Sequence, residues 1–151
     1  MTQNEFFDWA EAQDMRYEFD GFQPVAMTVG NLGHSRVMRN INFQLTSRLR
    51  GKPCEPLGPD AGVATVGDTV RYPDAVVTCT RFDPRDRVVP NPVVVFEVVS
   101  PTSGRTDRIV KLHEYQAVPT IRRYVIVESD SGAVTVLSRD HEGEAFRAAG
   151  L

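Results

Sequence analysis

The sequence is poor in cysteine, and its two cysteines, Cys54 and Cys79, lie far apart without Cys-x-x-Cys or Cys/His spacing. This pattern gives no sign of a cysteine-based metal site, and it favours reduced thiols in a cytoplasmic protein. No apolar run approaches the roughly 20 residues that span a bilayer, and the N-terminus lacks the features of a signal peptide. We therefore expect a cytoplasmic protein without a membrane segment.

The sequence also lacks a net positive charge, since its formal charge is -3 at pH 7. The whole protein does not attract nucleic acid, so any polyanion-binding surface must come from an uneven distribution of charge. The content of 41% hydrophobic and 25% charged residues is typical of a folded protein and argues against disorder. The length of 151 residues favours one domain, covering residues 1–151.

The charge is uneven, because no acidic residue occurs between positions 21 and 54 whereas five basic residues do. Most of them fall in residues 34–50, where apolar residues recur at helical spacing and predict a helix. Its basic face is either an ordinary solvated surface or a phosphate-contacting surface, in which Arg36 and Arg39 are the candidate substrate-binding residues. His34, at the start of this helix, is either a cap or a phosphate contact.

Local patterns predict the elements on either side of this helix. Thr2 and Glu5 form a possible capping box for a short N-terminal helix, and Asp20-Gly21 favours the tight turn of a β-hairpin. Short strands are expected within residues 53–70, and a buried strand over 71–79. A helix over 107–117, capped by Thr106 or Asp107, precedes a second predicted hairpin over 122–138.

Glu97 stands inside an apolar run, residues 92–101, that is bounded by prolines and predicts a strand buried on both faces. An unpaired carboxylate there would cost several kcal/mol, so it needs a partner, a metal ion or an opening to solvent. For Glu97 alone, a buried arginine partner is the simpler explanation. Asp74, near the start of the preceding predicted strand, could lie beside it, and two adjacent carboxylates favour a shared Mg²⁺ or Mn²⁺.

Lys111 follows Glu97 on the predicted helix over 107–117. Asp107, Lys111 and Tyr115 are spaced by four residues and therefore lie along one helix face. A lysine there could orient an attacking water or stabilise charge on a phosphate. The alternative is an ordinary surface ion pair between Asp107 and Lys111.

Several short segments, each weak alone, occur together in a characteristic order. They are Tyr17-Glu18, Asp20-Gly21, Pro73-Asp74, Glu97-Val98-Val99-Ser100-Pro101, and Asp107 through Lys111 to Tyr115. In this order they resemble the Uma-two family of the PD-(D/E)XK nuclease superfamily, over about residues 17–137. The resemblance implies an α/β fold with a restriction-endonuclease-like core, a central mixed β-sheet flanked by helices, preceded by the N-terminal helix and β-hairpin. From the resemblance we also expect the chain to be short of the last strands that are usual in that family.

The resemblance also implies roles for individual residues. Asp74 and Glu97 look like the metal-binding acids, Lys111 like the active-site lysine, and Glu18 like an acidic residue contributed from the N-terminal region. In the common superfamily motif the lysine lies two residues after the second acid. Val99 occupies that position here, so the lysine is carried by the following helix instead.

The leading hypothesis is a Mg²⁺-dependent endonuclease acting on DNA, with Glu18, Asp74, Glu97 and Lys111 as the catalytic group. Tyr115 joins Arg36 and Arg39 of the basic helix as a substrate-binding candidate. A homodimer is a further prediction, because cutting both strands needs two sites or two events. The alternatives are a noncatalytic nucleic-acid-binding or assembly module of the same fold, and a hydrolase with a His or Cys nucleophile, for which the sequence has no recognisable arrangement.

Overall fold

The computed structural model of the protein describes residues 1–101 and 104–148, and three helices and ten strands make up this part of the chain. The helices are α1 (Gln3–Glu11), α2 (Leu32–Leu49) and α3 (Arg105–Gln116). The strands are β1 (Tyr17–Phe19), β2 (Pro24–Ala26), β3 (Glu55–Leu57), β4 (Val63–Ala64), β5 (Val70–Arg71), β6 (Ala75–Thr78), β7 (Pro92–Val99), β8 (Arg123–Glu128), β9 (Val134–Ser138) and β10 (Arg147–Ala148).

These strands form two sheets. The larger has the order β10-β9-β8-β7-β6-β3, and the smaller has the order β2-β1-β5-β4. In the larger sheet β7 and β8 are parallel, joined through α3 as a parallel crossover requires, and the other neighbours are antiparallel. The predicted α/β fold with a central mixed sheet is therefore confirmed. The predicted N-terminal hairpin is present as β1 and β2, but it belongs to the smaller sheet.

Each sheet has its own apolar core. Between the larger sheet and α3 lie Val76, Val95, Tyr115, Ile121 and Tyr124, all essentially inaccessible to solvent. Under α1, the smaller sheet buries a second cluster of Phe6, Phe7, Phe19 and Val70. Each large apolar side chain buried in this way contributes about 1.5–3 kcal/mol. The two cores hold the sheets on which the charged residues described below are placed.

The central strand is β7, which pairs with β6 on one side and β8 on the other, as the apolar run predicts. The predicted strand over residues 71–79 is divided in two. Arg71 ends β5 in the smaller sheet, and β6 begins only at Ala75 in the larger one, after the buried Pro73. This break sends Arg71 and Asp74 to different sheets, and both reach the same groove.

The helix starts differ in part from the sequence predictions. The capping box of α1 is confirmed, because the Thr2 hydroxyl accepts from the Glu5 amide and the Glu5 carboxylate accepts from the Thr2 amide. For α2 the cap is Asn31 and not His34. For α3 the N-cap is Gly104, without a side-chain hydrogen bond, so the predicted cap at Thr106 or Asp107 is wrong.

The two cysteines also differ from the prediction of free thiols, because Cys54 and Cys79 form a disulfide. Strands β3 and β6 are antiparallel, with Glu55 opposite Thr78. Continuing this register by one residue places Cys54, which precedes Glu55, opposite Cys79, which follows Thr78. Sheet register brings the thiols together, and the 25-residue separation in sequence concealed it. Within the described residues, no helix is long and apolar enough to cross a membrane.

Candidate functional site

A groove of about 710 Å³ lies between the two sheets, the start of α2 and α3. Its lining includes all four residues that the sequence marks as candidate catalytic groups, namely Glu18, Asp74, Glu97 and Lys111. Glu18 comes from β1, Asp74 from the residue before β6, Glu97 from β7 and Lys111 from α3. Residues from separate parts of the sequence are therefore brought together at one place.

The backbone of β6 and β7 brings the two candidate metal-binding acids together. Asp74 precedes the first strand pair, Ala75 opposite Phe96, and its amide donates to the Phe96 carbonyl at 3.0 Å. Its carboxylate Oδ2 accepts from the Val98 amide at 2.7 Å. Asp74 therefore lies just before the first residue of β6, beside Glu97, and β7 continues past this point without β6 as its neighbour.

Lys111 lies among three carboxylates. Its Nζ atom is 3.6 Å from Glu97 Oε1, 3.7 Å from Glu18 Oε1 and 3.6 Å from Asp107 Oδ2. The pair with Asp107 is thus one part of a larger cluster and not an isolated surface ion pair. Burial disfavours the charge on Lys111, but Glu97, Glu18 and Asp107 outweigh it and raise its pKa above the usual value. Lys111 remains a cation, which suits it to stabilising negative charge.

Arg71 holds Glu18 in place. Its Nη1 donates to Glu18 Oε2 at 2.8 Å, while its Nε and Nη2 donate to the two oxygens of Glu114 at 2.6 and 2.8 Å. Burial opposes the charge on Arg71, but the hydrogen bonds to Glu114 and Glu18 raise its pKa. This bidentate clamp joins the smaller sheet to α3. Neither Arg71 nor Glu114 was predicted from the sequence, although Glu114 lies on the Lys111 side of its helix, three residues later.

Tyr115, the third predicted substrate-binding residue, is buried on α3 and is not part of the groove lining. Its side chain is fully buried, and its hydroxyl donates to Glu97 Oε1 at 2.8 Å. Glu97 is therefore paired with Tyr115 and Lys111, whereas the buried arginine, which the sequence suggested as its partner, binds Glu18 instead. Burial raises the pKa of Glu97 to about 7, with Lys111 lowering it and the neighbouring Asp74 and Glu18 raising it.

His34 makes a second contact that was not predicted from the sequence. It lies in the first turn of α2, and its Nε2 is 3.2 Å from Asp74 Oδ1. Burial raises the pKa of Asp74, and the Val98 amide and His34 oppose that shift only in part. The only sign in the sequence was the position of His34 at the beginning of the basic helix.

Arg36 and Arg39 lie outside the groove, on the exposed face of α2. Arg39 donates to the side chain of Asn40, its neighbour in the chain. Two apolar residues, Leu32 and Phe43, are exposed on the same helix, at 88% and 66%. The predicted basic helix face therefore exists and is open to solvent.

The groove lining carries more negative than positive side chains. Its lining carries five carboxylates against the three positive side chains of Arg16, Arg71 and Lys111. No group of three or more His, Cys, Asp or Glu side chains within residues 1–101 and 104–148 is placed to hold a metal ion. Asp74 and Glu97 together fit Mg²⁺, because this ion is often bound through one or two carboxylates and keeps several waters.

Comparison with known proteins relates the chain to a family and to a solved fold. A family model described as "Uma2: Putative restriction endonuclease" matches residues 3–148. The uncharacterised protein slr1290 of Synechocystis sp. is 30% identical over 150 residues, which cover 95% of this chain and 77% of that protein. A crystal structure of a protein from Anabaena variabilis, described as a putative nuclease belonging to DUF820, superposes with a TM-score of 0.73. It is 16% identical, and the match covers 98% of this chain and 83% of the other, so it supports the fold.

Proposed function

Because this chain belongs to the Uma2 family, described as "Putative restriction endonuclease", we propose that it is a Mg²⁺- or Mn²⁺-dependent endonuclease that hydrolyses DNA phosphodiester bonds. Restriction-endonuclease-like families generally use divalent metal ions. The observation that carries the proposal is the convergence of Glu18, Asp74, Glu97 and Lys111 on one groove. The resemblance to the PD-(D/E)XK nucleases implies that these residues are the acids and the lysine of the site.

In the proposed reaction the oxygen of a water molecule forms a bond to phosphorus, one P–O ester bond breaks, and the proton that the water loses ends on the leaving ester oxygen. Asp74 and Glu97 would hold the metal ion, which when bound polarises a phosphoryl oxygen and favours ionisation of a water molecule. Lys111, kept protonated by its carboxylate neighbours, stabilises the negative charge that develops on the phosphate. Glu18, fixed by Arg71, balances and positions the Lys111 ammonium.

The substrate assignment depends on the contrast between the groove and α2. The groove lining is rich in carboxylates and repels a polyanion unless a cation is bound. Arg36 and Arg39 on the exposed face of α2 supply the positive charge that contacts phosphates. Since α2 begins at the groove, a duplex lying along this helix reaches Asp74 at one end.

Nicking of supercoiled plasmid in Mg²⁺ tests the proposal. We expect cleavage by the wild type and a cleavage rate at least about 100-fold lower in Asp74→Asn and Lys111→Met. In EDTA we expect no cleavage by any of them. Asp130→Asn, which changes an exposed acid in the turn between β8 and β9, is the matched control and should cleave like the wild type. All variants are purified in parallel, and equal nicking by all four proteins would show that the activity comes from elsewhere.

One observation favours a second candidate, a nucleic-acid-binding module that does not cleave. Glu18 is already paired with Arg71 and Lys111, and Glu97 with Lys111, so both carboxylates have a cationic partner without a metal. This candidate predicts salt-sensitive DNA binding together with no heat of Mn²⁺ binding in calorimetry. The proposed homodimer is tested separately, by light scattering at several protein concentrations.

A further inference from the structure

His34 is held in a fixed position at the edge of the groove. Asn31 caps α2, and its Oδ1 accepts from the His34 amide at 2.9 Å, which fixes the first helical turn. The imidazole is then directed to Asp74, with Nε2 3.2 Å from Oδ1. The two side chains are only 25% and 14% exposed, so this contact is largely shielded from water.

Gly30 makes room for the imidazole. A Cβ atom at residue 30 would lie 2.6–2.8 Å from the Cγ, Nδ1 and Cβ atoms of His34, closer than real Cβ atoms approach. The ring therefore packs directly against the backbone before α2. This packing sets the orientation of the ring independently of any ligand in the groove.

Each oxygen of the Asp74 carboxylate consequently has a neighbouring polar group. Its Oδ2 accepts from the Val98 amide, which lies beyond the last pair of residues shared by β6 and β7. Its Oδ1 faces His34. With the Val98 amide donating to Oδ2 and the His34 imidazole 3.2 Å from Oδ1, the carboxylate has one preferred rotation about its terminal bond.

We propose that His34 is a positioning residue, which donates from Nε2 to Asp74 Oδ1 and holds this carboxylate in the orientation in which it binds a divalent metal ion. The metal-binding half of this inference rests on the proposed function. Partners that orient ligating side chains typically change metal affinity by about 10- to 100-fold when removed. A direct ligand role for His34 is the rival arrangement, since imidazole nitrogen also binds divalent ions.

The test compares the wild type with His34→Leu and His34→Gln. Glutamine keeps a donor near the Nε2 position but is a poor metal ligand, whereas leucine removes the donor. His113→Gln, at an exposed site on α3, is the control. Mn²⁺ affinity is measured by calorimetry, and hydrogen exchange of the Val98 amide is measured by NMR without metal.

In His34→Leu we expect Mn²⁺ to bind about 10- to 100-fold more weakly. We also expect the Val98 amide to exchange faster in this variant, because Asp74 is free to turn away. His34→Gln and the control should stay near the wild type in both measurements. Thermal unfolding of each variant checks that the fold is intact, and His34→Asn, whose amide stops short of Asp74, replaces the leucine variant if that fails to fold.

Three results separate the possibilities. Val98 exchange unchanged in His34→Leu overturns the positioning role, whatever the metal data show. Weak Mn²⁺ binding in His34→Gln with normal Val98 exchange also overturns it, in favour of a direct ligand. Absence of Mn²⁺ binding by the wild type, with Val98 exchange that still responds to His34→Leu, supports the positioning of Asp74 and contradicts the proposed metal-dependent function.

Discussion

The groove and the exposed face of α2 use the same type of residue in opposite ways. Arg71 is 7% exposed and makes three hydrogen bonds to two carboxylates, so its charge serves local structure. Arg36 and Arg39 are exposed, and their charges are available to a partner. Burial and pairing, and not residue type, decide whether an arginine organises a site or contacts a ligand.

The largest expected effect is a loss of stability when the buried arginine, Arg71, is replaced. Arg71→Leu removes the guanidinium that pairs with Glu114 and leaves Glu18 with Lys111 alone, and breaking a buried pair in this way costs about 3–5 kcal/mol. Urea unfolding of the metal-free protein measures this change in stability. Arg85→Leu, which removes an arginine that is 90% exposed, should leave the unfolding midpoint unchanged. Equal effects of the two substitutions would remove the distinction between buried and exposed arginines.

A smaller effect, which depends on pH, is expected at Glu97. Because its pKa in the folded protein is raised from 4.5 to about 7, the native state favours the protonated form, and stability is lost as the pH rises through this interval. The shift corresponds to about 3 kcal/mol at most. Glu97→Gln mimics the protonated form and keeps an acceptor for Tyr115.

The measurement is chemical denaturation of both metal-free proteins from pH 5 to pH 8. The advantage of Glu97→Gln over the wild type should grow across this range and level off above pH 7. A difference that is independent of pH would show that Lys111 keeps Glu97 ionised throughout.

The smallest effect on stability, and a clear one on binding, is expected on α2. Arg36→Ala combined with Arg39→Ala should leave unfolding unchanged and weaken DNA binding about equally for all sequences. The slope of log affinity against log salt should fall by about two, because two phosphates are no longer neutralised by arginine. Fluorescence anisotropy in EDTA measures this slope, with Arg85→Ala as the control. An unchanged slope would mean that the duplex follows a different face.

The contrast also explains what could be predicted from the sequence. Glu97, Asp74 and Lys111 are predictable because each depends on a local pattern: an apolar run, the start of the next strand, and helical spacing. The family and the mixed sheet follow from the order of these segments, and both are confirmed. Tyr115 lies on the predicted helix face, but spacing does not reveal depth, and the residue is buried.

The interactions that could not be predicted depend on pairing between distant segments. Arg71 reaches partners 43 and 53 residues away, and it does so only because the chain leaves one sheet and enters the other after it. His34 meets Asp74 through the packing of α2 against the end of β6. Such interactions follow from tertiary register, which no local pattern of apolar or charged residues encodes.

The Cys54–Cys79 disulfide links the chain on either side of two residues of the groove. It closes a covalent ring that contains both Arg71 and Asp74, with a sequence separation of 25 residues. In the chain-entropy description, closing a loop of this size removes conformational entropy from the unfolded chain and so raises its free energy by about 3–4 kcal/mol. Oxidation therefore restricts the loop that carries Arg71 and Asp74 before any sheet has formed, so that redox state and assembly of the site are connected through the unfolded chain.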